Sequence, residues 1–341
     1  MIDPTLWALA APRQRLYLEA VDRLGSNRKA AAEYNVSSTT VDKALAGLRK
    51  RAKGHRPAVT HSNSVQPDGP KKIFVLPDVQ AKHGLDFSYL RRYGTYLMDK
   101  RPSIVVCIGD FADMESLSSY DKGKKGYEGR RYKKDIHAAK EAMRAFLGPL
   151  NEHNEQARAQ GLPEYRPRLV LTLGNHEHRI SRCIEEDPKL DGTLSLDDLE
   201  YEAFGWEVYP FLQTVVIEGI AFSHYFTTGV MGRPAGTAAA QLRVASMSCF
   251  SGHQQGKQIA YGKKADGSII TSIICGSCYE HEETYLGRQG NTHFRGVFLL
   301  HDVRDGAFDE MPVSLSYINS KYPDVTYESA PFDEPITQRF G

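Results

Sequence analysis

Five apolar, strand-like runs of this sequence each end in a polar side chain that can bind a metal ion. The runs close, in order, at Asp78, Asp110, Asn175–His176, His224 and His253. Carboxylate and amide oxygens together with imidazole nitrogens form the usual donor set of divalent-metal sites. In α/β proteins the strand ends lie at one rim of the sheet, where ligands bind. Five such endings therefore predict a metal centre at that rim.

The chain resembles the calcineurin-like metallophosphoesterase superfamily in five ordered motifs. They are Asp78-x-Gln80, Gly109-Asp110, Gly174-Asn-His-Glu177, His224 and Gly252-His253-x-Gln255. The resemblance extends from about Lys72 to Asp305, and the Gly-Asn-His-Glu element is its most specific part. It implies an α/β fold, a two-layer β-sandwich flanked by helices, with two metal ions at the strand ends. Paired ions of this kind clamp a phosphate for in-line attack.

The resemblance also implies a role for each matching residue. One ion would be bound by Asp110, Asn175, His224 and His253. The other would be bound by Asp78, Gln80, Gln255 and the bridging Asp110. His176 would be the general acid, or would stabilise the leaving oxygen, beside the scissile phosphate.

Gln80 and Gln255 depart from the family pattern, in which both positions are usually histidine. The site that contains them has only oxygen donors, which favour Mn²⁺ or Mg²⁺ over Zn²⁺ and bind more weakly than imidazole. Either this ion is loosely held and exchangeable, or the centre retains one ion only. We favour two divalent ions, with Mn²⁺ as the main metal and Mg²⁺ as the alternative at the weaker site.

The first 53 residues have helical periodicity and concentrate the positive charge. Helices are predicted at Pro12–Leu24, with Leu16 on the apolar stripe, at Arg28–Tyr34, and from Ser37 or Ser38 to about Arg51. Ten basic and five acidic residues give this segment a net charge of +5, whereas the whole chain carries +1. The spacing of small and apolar residues resembles a helix-turn-helix DNA-binding unit.

This resemblance assigns two sets of DNA contacts. Base edges would be read at the start of the last helix by Ser38, Thr39, Thr40 and Lys43. Phosphates would be held by Arg28, Lys29 and Lys50. A small helical bundle that docks on the rest of the chain or forms a dimer would have the same pattern; we favour DNA binding.

Four segments follow from these patterns. Residues 1–53 are predicted to be a helix-turn-helix DNA-binding domain, and residues 54–70, rich in proline, glycine and serine, a flexible linker. Residues 71–318 would form the metallophosphoesterase domain, and residues 319–341 an extended C-terminal tail. The runs Ile269–Ile274 and Gly296–His301 are expected to finish the second sheet.

Two loops of the predicted catalytic domain bear on the substrate. Arg179 follows the Gly-Asn-His-Glu element and is expected to contact a substrate phosphate, or else to pair with a carboxylate such as Glu177. The segment 225–236 contains too much glycine for regular structure, and resembles either an active-site lid or a simple connector.

Composition limits the cellular setting. The sequence has no apolar run of membrane length and no basic leader, so no membrane partner is expected. Five cysteines, an odd number on scattered apolar runs, suit a reducing compartment, which favours the cytoplasm. The pairing of domains also resembles metallophosphoesterases of bacteriophages, which would place the protein in the host cytoplasm. The oligomeric state is left open.

The leading hypothesis is a metal-dependent phosphodiesterase that hydrolyses nucleic acid, a DNA nuclease targeted by its helix-turn-helix unit. The first alternative is a phosphomonoesterase, either a Ser/Thr protein phosphatase or a small-molecule enzyme. The second is a non-catalytic DNA-binding protein.

Overall fold

The structure is a computed structural model of the 341-residue chain and describes residues 12–54, 71–119, 123, 127–283 and 286–332. Most of the predicted linker and the last nine residues lie outside the described residues. The chain divides into two compact units, Met1–Asn63 and Ser64–Gly341, which are described separately.

Residues 12–54 of the first unit form three helices: α1 (Pro12–Leu24), α2 (Asn27–Glu33) and α3 (Ser38–Gly54). Its core is formed by Tyr17, Leu18, Ala31, Val41 and Leu45. The expected position of Leu16 on the apolar stripe is wrong, because this side chain is 45% exposed. The buried face is turned toward Tyr17, whose ring packs edge-on against Tyr34 at 5.6 Å.

The turn between α2 and α3 depends on Asn35 and Ser37. Asn35 adopts a left-handed conformation with φ of 49°, which asparagine tolerates better than most residues. The Oγ atom of Ser37 accepts a hydrogen bond from the Thr40 amide at 3.2 Å and so caps the start of α3.

The second unit contains a six-stranded sheet with the order β13-β12-β1-β2-β3-β4. Its strands are β1 (Lys71–Leu76), β2 (Ile104–Cys107), β3 (Arg168–Thr172), β4 (Glu207–Tyr209), β12 (Gly296–Arg304) and β13 (Ala307–Ser314). Strands β1 to β4 are parallel, so their carboxyl ends meet at one rim. The expectation that Gly296–His301 belongs to the second sheet is wrong, since β12 pairs antiparallel with β1.

The second sheet has five strands in the order β10-β11-β9-β6-β5. They are β5 (Val215–Ile217), β6 (Ile220–Phe222), β9 (Cys249–Ser251), β10 (Gln258–Lys263) and β11 (Ile269–Ile274). Two short strands, β7 (Thr227–Thr228) and β8 (Arg233–Pro234), form a hairpin. Segment 225–236 is therefore partly regular, contrary to the prediction.

The two sheets pack face to face. On β1, Ile73 and Val75 belong to a cluster that also contains Phe222 and Phe250 of the second sheet. Their neighbour Phe74 belongs to the cluster on the other face. This alternation follows from the two-residue period of a strand. The predicted pair of sheets is present.

Helices cover the outer faces. Six helices of this unit are α4 (Ser88–Lys100), α5 (Tyr132–Ala159), α6 (His178–Glu186), α7 (Ala238–Ala245), α8 (Gly287–Gly290) and α9 (Leu315–Lys321). Residues of α4 and α5 pack against the outer face of the first sheet. Because α9 continues to Lys321, the first three residues assigned to the tail are helical. In the described parts of the chain, no helix has the length and apolarity needed to cross a membrane.

Candidate metal centre

Two tight turns bring the ends of β2 and β3 together. Gly109 has a φ of 90°, and a Cβ atom there would lie 2.5 Å from the backbone nitrogen of Gly174. A Cβ atom on Gly174 would in turn lie 2.1 Å from the Oδ1 atom of Asp110. Only glycine allows this approach, since both distances are far below van der Waals contact. The glycines that precede the predicted ligands therefore make room for them.

Three predicted ligands form one cluster. Donor atoms of Asp110, His224 and His253 all lie within 4.8 Å of one another. The Oδ1 atom of Asn175 lies between the imidazoles, 2.9 Å from Nε2 of His224 and 2.8 Å from Nδ1 of His253. The sequence thus predicted the four members of this set, drawn from four strand ends of two sheets.

A hydrogen bond orients the first histidine. The Nδ1 atom of His224 lies 2.8 Å from the carbonyl oxygen of Ile108, so Nδ1 carries the proton and donates it. Nε2 then faces Asp110, at 3.3 Å from its Oδ2 atom. Such an outer hydrogen bond fixes the ring and the tautomer of a metal-binding histidine.

The pKa values of His224 and His253 are shifted in opposite directions. Burial lowers the pKa of His224, but the Asp110 carboxylate more than compensates and raises it to about 9. Burial, followed by the charge of His224, lowers the pKa of His253 to about 4. Asp110 is buried, yet the charges of His176 and His224 keep its pKa below the ordinary value. A proton and a cation would therefore compete for this cluster.

Next to this cluster lies the second predicted set, Asp78, Gln80 and Gln255. Asp78 is fully buried and accepts the His253 amide at 3.1 and 3.2 Å. Burial and then the charge of Asp110 raise its pKa to about 7. Among the described residues, the buried Oε1 atom of Gln80 has no hydrogen-bond partner. Gln255 directs its Nε2 atom at Asp78, at 3.4 Å, while its Oε1 accepts the Tyr279 hydroxyl at 2.8 Å.

These observations fit a divalent cation. Two imidazole nitrogens, a carboxylate and an amide oxygen converge, and the orphaned Gln80 oxygen is a buried acceptor that a cation would satisfy. Gly252 contributes space, because a Cβ atom there would lie 2.2 Å from the Oδ1 atom of Asp78. One ion would be held by Asp110, Asn175, His224 and His253. A second would be held by Asp78, Gln80 and Asp110; Gln255, whose Oε1 atom accepts the Tyr279 hydroxyl, stays a predicted ligand.

His176 stands beside the ligands. Its Nδ1 atom lies 2.7 Å from Oδ1 of Asp113, and its Nε2 atom lies 3.7 Å from Oδ2 of Asp110. Burial lowers the pKa of His176, but the carboxylates of Asp110 and Asp113 outweigh it, so the pKa is raised. The imidazolium form, which can donate a proton, is thereby favoured.

Asp113 is a site residue that the sequence analysis missed. Burial opposes its charge, but His176, Lys82 and Arg179 outweigh burial and keep its pKa well below the ordinary value. The Nζ atom of Lys82 lies 3.1 Å from Oδ2 of Asp113 and 2.6 Å from Oε1 of Glu283. Asp113 follows Asp110 by three residues on the same loop, and this spacing is the signal that could have identified Asp113.

Arg179 pairs with a different carboxylate from the one expected. Its NH1 group donates to the Asp113 backbone carbonyl at 2.8 Å and to Asp113 Oδ1 at 3.1 Å. Its NH2 nitrogen lies 3.1 Å from Nε2 of His176. Glu177, the partner named in advance, is engaged elsewhere. The guanidinium therefore lies at the proton-carrying atom of His176, and a contact with substrate phosphate stays a prediction.

Glu177 links the loops that follow β2 and β3 by hydrogen bonds. Its carboxylate accepts the backbone amides of Gly174 at 2.8 Å, Ala112 at 2.9 Å and Asp110 at 3.0 Å. The hydroxyl of Tyr201 donates to the same carboxylate at 3.3 Å. Glu177 is fully buried. This bracing role was also missed, because sequence spacing does not show which backbone amides converge on a side chain.

The predicted DNA contacts lie on the surface of the helical unit. The exposed members are Arg28, Lys29, Ser38, Thr39, Thr40 and Lys43. Lys50 belongs to α3, but its side chain is outside the described residues. These exposed residues lie on α2 and on the first turns of α3.

The chain was compared with protein-family models, curated proteins and solved structures. No protein-family model matches the chain, and no curated protein matches it. Among solved structures, Yfce, a phosphoesterase from E. coli, is 13% identical over 72% of this chain and 99% of its own, with a TM-score of 0.28. GAP50, the anchor in the inner membrane complex of Plasmodium, is 12% identical over 75% of this chain and 87% of its own, with a TM-score of 0.29.

Proposed function

We propose that this chain is a divalent-metal phosphoesterase that hydrolyses phosphodiester bonds of nucleic acid. One observation carries the proposal: Asp110, Asn175, His224 and His253 converge within bonding reach of one cation, with the Nε2 atom of His176 beside them. Metal ligands next to a histidine that can donate a proton form the arrangement that phosphoester hydrolysis requires.

The protein groups divide the work. Ions bound at this centre would neutralise charge on the phosphate and lower the pKa of an attacking water. When a hydroxide attacks phosphorus, the bond to the leaving oxygen breaks, this oxygen takes the proton from Nε2 of His176, and the neutral histidine regains a proton from solvent. Asp113 retains the proton on Nδ1 of His176 through the 2.7 Å hydrogen bond, so that only the Nε2 proton is transferred. Arg179 adds a fixed positive charge at the same point.

The helical unit supports a polymeric substrate. Arg28, Lys29 and Lys43 are exposed, and the segment they belong to has a net charge of +5 in a chain of net charge +1. A concentrated positive field of this kind attracts a polyanion. Ser38, Thr39 and Thr40 are small, exposed hydroxyl residues at the start of α3. In a helix-turn-helix unit the start of the recognition helix contacts the base edges.

The test is cleavage of labelled single- and double-stranded DNA by metal-stripped protein, before and after addition of Mn²⁺. Wild-type protein should cut DNA only with the metal, and the His224→Ala variant should not cut. His153→Ala is the matched control, because His153 lies away from the candidate site. It contacts Arg101, which precedes the start of β2, whereas the candidate site follows the end of β2. Equal cutting by wild type and His224→Ala would overturn the assignment.

Two other outcomes identify the alternatives. Turnover of a simple phosphomonoester without DNA cleavage would make the chain a phosphomonoesterase. DNA binding without turnover of any phosphoester, unchanged by His176→Ala, would make it a non-catalytic DNA-binding protein.

A further inference from the structure

We infer that Phe211, Tyr225 and His178 form an aromatic wall that receives the nucleobase next to the scissile phosphate. The inference rests on the proposed function and adds to it the residues that would contact the base of the substrate.

The Phe211 ring contacts the other two rings, and both Phe211 and Tyr225 contact candidate metal ligands. The Tyr225 ring lies 4.8 Å from that of His253 and 5.8 Å from that of His224. Phe211 lies 5.6 Å from Tyr225, edge-on, and 6.1 Å from His224. It stacks on His178 at 4.8 Å, with 24° between the planes. Aromatic surface thus adjoins both ligand histidines.

The wall is accessible. The side chains of Phe211, Tyr225 and His178 are each only partly buried, whereas His224 behind them is fully buried. Partial exposure leaves aromatic surface for a ligand, and a base has a flat face that stacks on it whatever its identity.

The hydroxyl of Tyr225 sets it apart from other tyrosines near the centre. Those of Tyr201 and Tyr279 donate to Glu177 and Gln255, respectively. In the part of the chain that the structure describes, the Tyr225 hydroxyl has no hydrogen-bond partner. A structural role thus accounts for the other two phenols but leaves that of Tyr225 available to a substrate.

Reach also supports the assignment. In a nucleotide only the sugar separates the base from the phosphate. The base of a nucleotide whose phosphate lies at His224 and His253 must therefore lie close to these two histidines. Tyr225 and Phe211 are in direct ring contact with them and so are within reach of that base. Sugar phosphates or phosphoserine peptides would leave this aromatic surface uncovered.

The experiment compares ligands that differ only in the base. Binding of 2′-deoxyadenosine 5′-monophosphate and of deoxyribose 5-phosphate is measured by calorimetry, with and without Mn²⁺, on the full chain. We expect wild type to bind the nucleotide more tightly by about fivefold to a hundredfold, the usual effect of one stacked base. Phe211→Leu and Tyr225→Leu should reduce this ratio toward one while binding of the sugar phosphate is unchanged.

Two controls keep the test decisive. Tyr261→Leu removes another exposed tyrosine, on β10, and should preserve the ratio. An affinity ratio near one in wild type would overturn the assignment of the aromatic wall. The assignment would also be overturned if the Phe211 and Tyr225 variants bound both ligands more weakly by the same factor. DNA cleavage by the same wild-type protein is scored separately. Cleavage with a ratio near one refutes only the wall, and base-dependent binding without any cleavage refutes only the phosphoesterase assignment.

Discussion

The Nδ1 atom of His176 lies 2.7 Å from the Oδ1 atom of Asp113, and both groups are buried. Because Asp113 is held as an anion by Lys82 and Arg179, this hydrogen bond fixes one tautomer of the histidine and directs Nε2 toward the metal ligands. Several properties of the centre depend on this pair and on the loops that support it.

Replacement of the carboxylate tests the pair directly. Asp113→Asn retains the size of the side chain but removes the charge that favours the His176 imidazolium. If His176 is the general acid, kcat should fall by about a hundredfold or more, the typical contribution of such a group. Bound metal, measured by mass spectrometry, should be unchanged. Unaltered kcat would remove His176 from the chemistry, and loss of metal would make Asp113 a support of the ligand set instead.

Glu177 should be a stability residue. Glu177→Gln replaces one acceptor oxygen by a donor that faces the backbone amides of Asp110, Ala112 or Gly174. Leaving buried donors unpaired costs about 1–3 kcal/mol each, so we expect a loss of about 2 kcal/mol or more in the free energy of unfolding. Urea denaturation measures it. Glu185→Gln, at an exposed position of α6, is the control and should cost almost nothing.

A single methyl group should disable the centre. In Gly174→Ala the new Cβ atom would lie 2.1 Å from Oδ1 of Asp110, so the carboxylate must move. We expect the affinity for Mn²⁺ to fall by at least about tenfold, comparable with the loss of a group that supports a metal ligand. Gly236→Ala is the control, because its Cβ atom would meet nothing within 4 Å. Equal affinities would show that the turn absorbs the methyl group.

Metal binding should depend on pH. The pKa of His224 is about 9 and that of Asp78 about 7 without metal, so both groups bind protons below those values. A cation must displace these protons, and its affinity should therefore rise between about pH 6 and 9 and level off above. Calorimetry at pH 7 in buffers of different ionisation enthalpy should register proton release. A flat affinity profile would contradict the assigned ligands.

The helical unit makes a separate prediction about salt. If Lys29 holds a DNA phosphate, Lys29→Ala should weaken binding of all sequences alike and reduce the slope of log K against log salt by about one. Ser38→Ala should instead alter the preference among sequences. Arg243→Ala makes the same change of charge on α7 and serves as control. An unchanged slope in Lys29→Ala would exclude this contact.

Local sequence was sufficient to identify the candidate ligands that the structure places together, and insufficient to identify the groups that support them. Asp110, Asn175 and His224 could be predicted because each follows an apolar run, and strand ends of parallel sheets converge. Glu177 and Asp113 act through contacts that the motifs do not show: the Glu177 carboxylate accepts the amides of Asp110 and Ala112, and Asp113 contacts His176 and Lys82. The error on β12 has the same origin: Phe74 pairs with Leu299, and nothing in either strand identifies its distant partner.

That long-range pairing has a consequence for synthesis on the ribosome. Strand β1, which leads to Asp78, is among the first parts of the second unit to be made, yet its neighbour β12 is among the last. Until then one side of β1 is an open edge with unpaired amides and carbonyls, a form prone to association with other chains. A nascent chain stalled before Gly296 should therefore recruit chaperones, even though every proposed metal ligand has already been translated.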